Sequence, residues 1–139
     1  MSGFTHGEVE YLREQRLGRL ATVNASGSPH VVPVAFRYNP ELGAIDVGGH
    51  NLGQSKKFRD AGETGRVAFV VDDVLRSARS APWRARGVEI RGRAEVFGEG
   101  GGEVGPGFDD ELIRIFPERI VGWGIDSDAY KPNARSVGG

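Results

Sequence analysis

Residues 87–97, Gly-Val-Glu-Ile-Arg-Gly-Arg-Ala-Glu-Val-Phe, alternate between small or apolar residues and charged residues. This two-residue period predicts a strand with one buried face and one exposed face. Five further strands are predicted by runs at 17–23, 30–38, 44–48, 66–71 and 119–125. The connections between the early runs are short turn clusters, which favour antiparallel pairing. We therefore predict a mainly β domain, an antiparallel six-stranded split β-barrel, because closure removes exposed strand edges.

Small helices complete the predicted domain. Thr5 and Glu8 have the spacing of a capping box, which predicts a helix over about 6–16 that buries Val9 and Leu12 and exposes Glu8. A second helix is predicted over 54–61. A third is predicted over 109–116, with Asp109 as its N-cap.

Composition limits the class of protein. The 139 residues suit a single domain, 1–139, with an ordered core over about 5–125, a flexible glycine-rich loop over 98–107 and a mobile polar tail over 126–139. A net charge of -1 without a basic run argues against nucleic acid as a partner. The absence of cysteine excludes disulfides and thiolate chemistry. No apolar run is long enough to span a bilayer, so we expect no membrane association and a cytoplasmic location.

The strongest candidate for a binding site is the segment 48–57, Gly-Gly-His-Asn-Leu-Gly-Gln-Ser-Lys-Lys. A strand ends in a glycine-rich turn, with Gly49 and His50, and enters a helix that begins with Ser55, Lys56 and Lys57. Free amides at a helix start attract anions, and a hydroxyl and two ammonium groups would strengthen phosphate binding. The spacing is neither a P-loop nor a dinucleotide fingerprint. The alternative is a capped surface helix with solvated lysines.

Two other features could contact a planar ligand. Trp83 and Arg86 lie in an arginine-rich stretch, where an indole and a guanidinium could stack on a ring or hold an anion; the alternative is a solvated loop. Pro33 lies inside a strand between Val31 and Val34 and removes one ladder donor, which leaves nearby backbone groups free for a ligand. The alternative there is an ordinary edge strand.

The sequence contains no convincing hydrolytic machinery. The three histidines are too dispersed for a metal site, so no metal is expected, and no nucleophile elbow is present. An anion site and an aromatic–arginine loop without an acid–base set indicate that a cofactor supplies the chemistry.

Several segments, in this order and spacing, resemble the pyridoxamine 5′-phosphate oxidase-like split β-barrel superfamily. Within it, the chain is similar to the actinobacterial group of F420-dependent deazaflavin oxidoreductases. The segments that carry the resemblance are 14–23 (EQRLGRLATV), 27–34 (GSPHVVPV), 36–39 (FRYN), 46–50 (DVGGH), 55–59 (SKKFR), 66–73 (RVAFVVDD), 82–95 (PWRARGVEIRGRAE) and 119–124 (RIVGWG).

The resemblance implies a homodimer with two cofactor sites at the subunit interface. It implies that Ser55, Lys56 and Lys57 hold the cofactor phosphate and that the strand Val31–Val34 faces the ring. The Trp83–Arg86 region would then approach from the partner subunit.

The resulting functional prediction is a reductase that transfers a hydride between coenzyme F420 and a small unsaturated or planar organic substrate. The first alternative is an FMN-binding oxidoreductase of the same fold, and the second is a carrier that binds F420 or a flavin without turnover. Pyridoxamine 5′-phosphate oxidation itself is not expected, because the chain shows no convincing match to the C-terminal Arg- and His-bearing segment of those enzymes.

Overall fold

In a computed structural model, which describes residues 3–75 and 84–138, the chain forms one antiparallel sheet of seven strands. Their order is β3-β2-β1-β4-β5-β6-β7, and an additional pairing between β3 and β6 closes the first six into a barrel. The predicted six-stranded barrel is therefore confirmed, with one extra strand. The strands are β1 (Leu17–Val23), β2 (Pro29–Asn39), β3 (Ala44–Gly48), β4 (Arg66–Leu75), β5 (Arg84–Phe97), β6 (Leu112–Trp123) and β7 (Asn133–Ser136).

Two α-helices accompany the barrel, α1 (His6–Glu14) and α2 (Lys56–Thr64), with 3-10 turns at Leu52–Gln54 and Gly101–Glu103. No helix among the described residues is both long and apolar enough to cross a membrane.

The barrel interior is filled by the inward-facing side chain of every second strand residue. Phe36 and Phe69 meet edge to face, with ring centroids 5.2 Å apart. A Cβ on Gly18 would lie 2.3 Å from the Phe69 ring, so the core requires glycine at that position. Each fully buried Leu, Ile or Phe side chain contributes about 1.5–3 kcal/mol by leaving water. In the segment 87–97, where apolar and charged residues alternate, the apolar face enters this core with Val88, Ile90 and Ala94.

The β5–β6 ladder contains a bulge. Arg91 pairs with Arg119, but Gly92 pairs with Pro117, so β6 carries one extra residue, Glu118. A Cβ on Gly92 would lie 2.1 Å from the Phe116 carbonyl oxygen, which explains the glycine. Proline lacks an amide donor and is tolerated in a ladder at such irregularities.

The helix predicted over 109–116 is wrong. This segment enters β6, where Ile113 and Ile115 are completely buried and pair with both β3 and β5. Packing between two strands outweighs local helix propensity here. The segment after Asp126, predicted as a mobile tail, contains β7, which pairs with β6. The loop 98–107 includes a 3-10 turn, and the Gly101 amide donates to the Asp110 carbonyl over 2.8 Å.

The capping box of α1 is confirmed. The Glu8 amide donates to the Thr5 hydroxyl over 3.0 Å, and the Thr5 amide donates to the Glu8 carboxylate over 2.9 Å. The prediction that Glu8 is exposed is wrong, since only 1% of the residue is accessible. Arg135 of β7 forms an ion pair with Glu8. Leu12 is buried as predicted, whereas Val9 is only half-buried.

Candidate functional site

Half of β2 has an open edge within the described part of the chain. β3 pairs only with residues 35–39 of β2, and the last pair is Ala35 with Gly48. Residues 29–34 pair with β1 alone. Pro33 lies in this half, where a strand without a second neighbour tolerates the missing donor.

The predicted ring-facing residues divide between the two faces of β2. Val31 is 64% exposed and Pro33 is also exposed. Val34 is buried in the core with 5% accessibility, because successive side chains on a strand point to opposite faces. Val31 and Pro33 therefore line the outer surface, and Val34 does not.

The turn after β3 is held by the loop that precedes β6. The Asn51 amide donates to the Asp109 carboxylate over 2.7 Å, and the Asp109 amide donates to the Gly49 carbonyl over 3.0 Å. The exposed His50 ring packs edge to face on Phe108, with centroids 5.3 Å apart. A Cβ on Gly49 would meet nothing within 4 Å, so this turn leaves open space beside it.

Ser55 is the N-cap of α2, and its hydroxyl group is already used. It accepts from the Phe58 amide over 3.3 Å and donates to the Leu52 carbonyl over 2.6 Å. The predicted helix is confirmed, but it spans Lys56–Thr64 rather than 54–61. The hydroxyl stabilises the turn and the helix, so phosphate binding would require it to exchange a partner.

Lys56 is also engaged within the chain. Its ammonium donates to the Asp60 carboxylate over 2.8 Å, and the Thr22 hydroxyl of β1 donates to the same oxygen over 3.1 Å. Asp60 is 1% accessible. The hydrogen bond from Lys56 lowers the pKa of Asp60 despite this burial, because it stabilises the charged carboxylate. Lys56 thereby fastens α2 to the barrel wall.

Lys57, the next residue, is the cation left available. Among the described residues it forms neither an ion pair nor a hydrogen bond, and its side chain is half-buried. Partial burial lowers the pKa of Lys57, because desolvation disfavours the charged ammonium. An anion beside Lys57 would compensate this cost.

Arg86 lies in a different network from the lysines. Its guanidinium binds both oxygens of Asp73, over 2.7 and 3.1 Å, and stacks 4.6 Å from the centre of the Tyr11 ring. The Tyr11 hydroxyl donates to Asp73 over 2.9 Å. The hydrogen bond from Arg86 lowers the pKa of Asp73, and burial together with the Asp73 carboxylate raises the pKa of Tyr11. Trp83, predicted to act with Arg86, lies outside the described residues.

Within one copy of the chain, the Lys56–Asp60 pair and the Arg86–Asp73 pair lie far apart. Asp60 contacts Thr22, which pairs with Val67 in β4, whereas Asp73 lies six residues further along the same strand. At about 3.3 Å per residue, the two networks are roughly 20 Å apart.

A groove with a volume of about 780 Å³ lies near the Arg86 end of the barrel. Its lining includes Trp123, Ile125 and Tyr130, and its charged groups are Arg84, Asp126 and Asp128. Such a volume is in the range of small-molecule sites. Within residues 3–75 and 84–138, no group of three His, Asp or Glu side chains could hold a metal ion.

Sequence reasoning missed Asp60 and Asp73, the two carboxylates that engage the predicted cations. The spacing of Lys56 and Asp60, four residues apart on one helix, could have indicated the first pair. The partnership of Asp73 with Arg86 arises across the β4–β5 ladder, where the two residues are opposite one another. That pairing needs the strand register, which the sequence does not supply.

Residues 4–136 match the pyridoxamine 5′-phosphate oxidase family. The chain belongs to this family. It is also 50% identical over 125 residues to the 5a,11a-dehydrotetracycline/5a,11a-dehydrooxytetracycline reductase of Streptomyces rimosus, which covers 90% of this chain and 86% of that protein. Membership of this oxidase family and the identity to a reductase support an oxidoreductase.

Solved structures of this family's fold are similar in backbone but distant in sequence. A heme-binding protein from Mycobacterium smegmatis superposes with a TM-score of 0.64 at 16% identity, covering 98% of this chain and 60% of that one. An FAD-binding protein from the same species superposes with a TM-score of 0.61 at 17% identity, covering 88% of this chain and 96% of that one. These structures establish the barrel as a shared fold.

Proposed function

We propose that this protein is an F420-dependent reductase that transfers a hydride between coenzyme F420 and a small unsaturated or planar organic substrate. The observation that carries the proposal is Lys57, a half-buried cation without a protein partner among the described residues, at the start of α2. It lies on α2, which follows β3 through the glycine-rich turn. A phosphate at this point would receive a charge-assisted hydrogen bond and the free amides of the helix start.

The residues present suit a planar coenzyme with an anionic tail. Lys57 would bind the phosphate, and the outward faces of Val31 and Pro33 would contact the ring. The open space beside Gly49, in the turn before α2, would also be available to the cofactor. When bound, the cofactor supplies the hydride, and the protein supplies position and electrostatics. We assign no catalytic acid.

The relative named as a 5a,11a-dehydrotetracycline reductase supports an unsaturated substrate of fused-ring type for this chain as well. Half of the residues in the aligned region are shared, so the same reaction class is proposed while the individual compound is not. Uncharged, planar enones are suitable first substrates, because Val31 and Pro33, the exposed β2 residues proposed to contact the ring, are apolar.

We further propose that two copies form the complete site. Leu17 and Val31, on the outer face of β1 and β2, are 59% and 64% exposed, so two large apolar side chains are open to solvent in a single copy, on a face that also carries Arg19. A second copy would cover this face and bring its own groups to the cofactor. Replacing Val31 by Asp should shift the protein from dimer to monomer in sedimentation equilibrium.

FMN is the alternative cofactor, since it combines a planar ring with a phosphate and would meet the same groups. The deciding experiment titrates F420 and FMN separately into one apo preparation and follows absorbance and fluorescence. Tighter binding of F420 supports the proposal, and tighter binding of FMN replaces it by the flavin alternative.

A non-catalytic carrier is the second alternative. Reduced F420 is incubated with the protein and a panel of enones, quinones and tetrapyrroles, and its reoxidation is followed. Reoxidation that depends on both protein and acceptor supports the reductase. Tight F420 binding without reoxidation by any acceptor supports the carrier.

A further inference from the structure

A cationic cavity lies away from Lys57. Its volume is about 380 Å³, and it is lined by α1, the C-terminal half of β2 and the 98–110 loop. The lining residues are Leu12, Arg13, Gln15, Phe36, Arg37, Tyr38, Pro40 and Val104. Two arginines therefore line this cavity, and none of its lining residues within the described part of the chain is acidic.

Arg37 is held at the wall of the cavity with its charge incompletely compensated. The nearest carboxylate is Asp46, whose side chain is 3% exposed and whose Oδ2 lies 3.6 Å from the Arg37 Nη1, beyond hydrogen-bond range. The Nη1 atom is buried and has no hydrogen-bond partner among residues 3–75 and 84–138. Buried donors of this kind are rare, and an explanation such as a ligand or an ion is needed.

Asp46 is already saturated by other donors. Arg114 binds both of its oxygens, over 2.8 and 3.2 Å, and Asn39 donates to it over 3.0 Å. Because Arg114 binds both oxygens of Asp46, Arg37 keeps only a 3.6 Å contact with this carboxylate and its Nη1 makes no hydrogen bond among the described residues. Its side chain is 31% exposed, so part of the group is accessible from the cavity.

Arg13 supplies the second cation from α1. Its guanidinium lies 5.8 Å from the centre of the Tyr38 ring, and among the described residues it forms no ion pair. Glu14, Glu41 and Glu103 are next in sequence to lining residues, but they are exposed and do not line the cavity themselves.

We propose that this Arg13–Arg37 cavity binds an oxyanion, a carboxylate or a phosphate ester, of a small organic molecule. Planar guanidinium groups match the two oxygens of such groups. The cavity lies away from the proposed phosphate site at Lys57. His30 pairs with Thr22 at the α2 end of β2, and Arg37 lies seven residues further along, roughly 23 Å at 3.3 Å per residue.

The test uses the full-length Lys57→Ala variant, in which the proposed cofactor-phosphate site is weakened. Sodium benzoate and inorganic phosphate are titrated separately in a calorimeter, with ionic strength held constant by chloride. We expect saturable binding of at least one probe. Tighter binding of benzoate indicates a carboxylate, and tighter binding of phosphate indicates a phosphate ester.

Arg13→Gln and Arg37→Gln, each added to Lys57→Ala, should weaken that binding about tenfold, the loss that corresponds to about 1.4 kcal/mol. Arg93→Gln, added to Lys57→Ala, is the matched control, because Arg93 is paired with Glu95 on the outer face of β5. This control variant should bind the probe as tightly as Lys57→Ala alone. If Arg37→Gln fails to fold, Arg13→Gln decides alone, since Arg13 is exposed on α1. Absence of saturable binding for both probes, or equal affinity in Arg13→Gln, would overturn the proposal, whatever the outcome for F420.

Discussion

The Lys56 ammonium lies 2.8 Å from the Asp60 carboxylate, one helical turn further along α2. Lys57, its neighbour in sequence, has no such partner among the described residues. Two adjacent lysines that look equivalent in the sequence therefore have different roles. Lys56 stabilises the contact between helix and barrel, and Lys57 is the residue available to an anion.

Replacing Lys57 by Ala should weaken binding of a phosphate-bearing cofactor by about 1.5–3 kcal/mol, the value of one charge-assisted hydrogen bond. Fluorescence titration with F420 measures this directly. Lys131→Ala is the control, since Lys131 is exposed and lies in the segment between β6 and β7. An unchanged dissociation constant for Lys57→Ala would remove this residue from the site.

Replacing Lys56 by Ala should mainly reduce stability. The Asp60 carboxylate would keep the Thr22 hydroxyl but lose its ammonium partner while remaining buried, which costs about 1–3 kcal/mol. Urea denaturation followed by circular dichroism gives the change in the free energy of unfolding. Arg59→Ala, on the exposed face of the same helix, serves as the comparison. Equal stability of the two variants would show that the Lys56–Asp60 contact contributes little.

Asp60 should make the protein sensitive to acid. Its pKa is lowered in the folded state from an ordinary value of 3.8, so the unfolded chain takes up the proton first as the pH falls. The stabilisation is complete above about pH 4 and is lost as the pH falls through the lower, folded-state pKa. The free energy of unfolding, measured across this range, should fall less steeply with acidification in Asp60→Asn than in the wild type. Parallel curves would contradict the assignment.

Lys57 should make cofactor binding sensitive to alkali. Burial lowers its pKa below 10.5, and only the ammonium form binds a phosphate strongly. Affinity should therefore be full well below this pKa and decline as the pH rises through it, earlier than an exposed lysine would allow. Lys57→Arg should move the decline to higher pH, because guanidinium stays protonated. Titrations of F420 at several alkaline pH values, with wild type and Lys57→Arg side by side, check both statements.

Glu8 and Arg135 join the two ends of the chain. The Glu8 carboxylate is buried, caps α1 and pairs with Arg135 on β7. Glu8→Ala would remove the carboxylate partner of the Arg135 guanidinium, which keeps its hydrogen bonds to the Gly3 carbonyl, and we expect a loss of about 3 kcal/mol, the lower end of the range for a broken buried pair. Thermal unfolding measures the loss. Glu10→Ala, at an exposed position of the same helix, should stay within about 0.5 kcal/mol of the wild type.

Much of the fold follows from local patterns. The alternation in β5, the capping box of α1 and the Ser55 cap of α2 were all predictable, because each depends on residues a few positions apart. The helix predicted over 109–116 failed for the opposite reason. Its residues become a strand through pairing with β3 and β5, which lie far away in sequence.

The candidate site divides in the same way. The sequence alone determined that a glycine-rich turn enters a lysine-bearing helix and that Pro33 requires an irregular or edge position, because backbone geometry and local charge set these features. Only the tertiary structure decided which cations stay available, since Asp60 reaches Thr22, and Asp46 meets both Arg37 and Arg114, through strand and helix packing. Whether a cation can bind an external anion depends on the carboxylates near it in space, and the folding of the barrel determines which carboxylates those are.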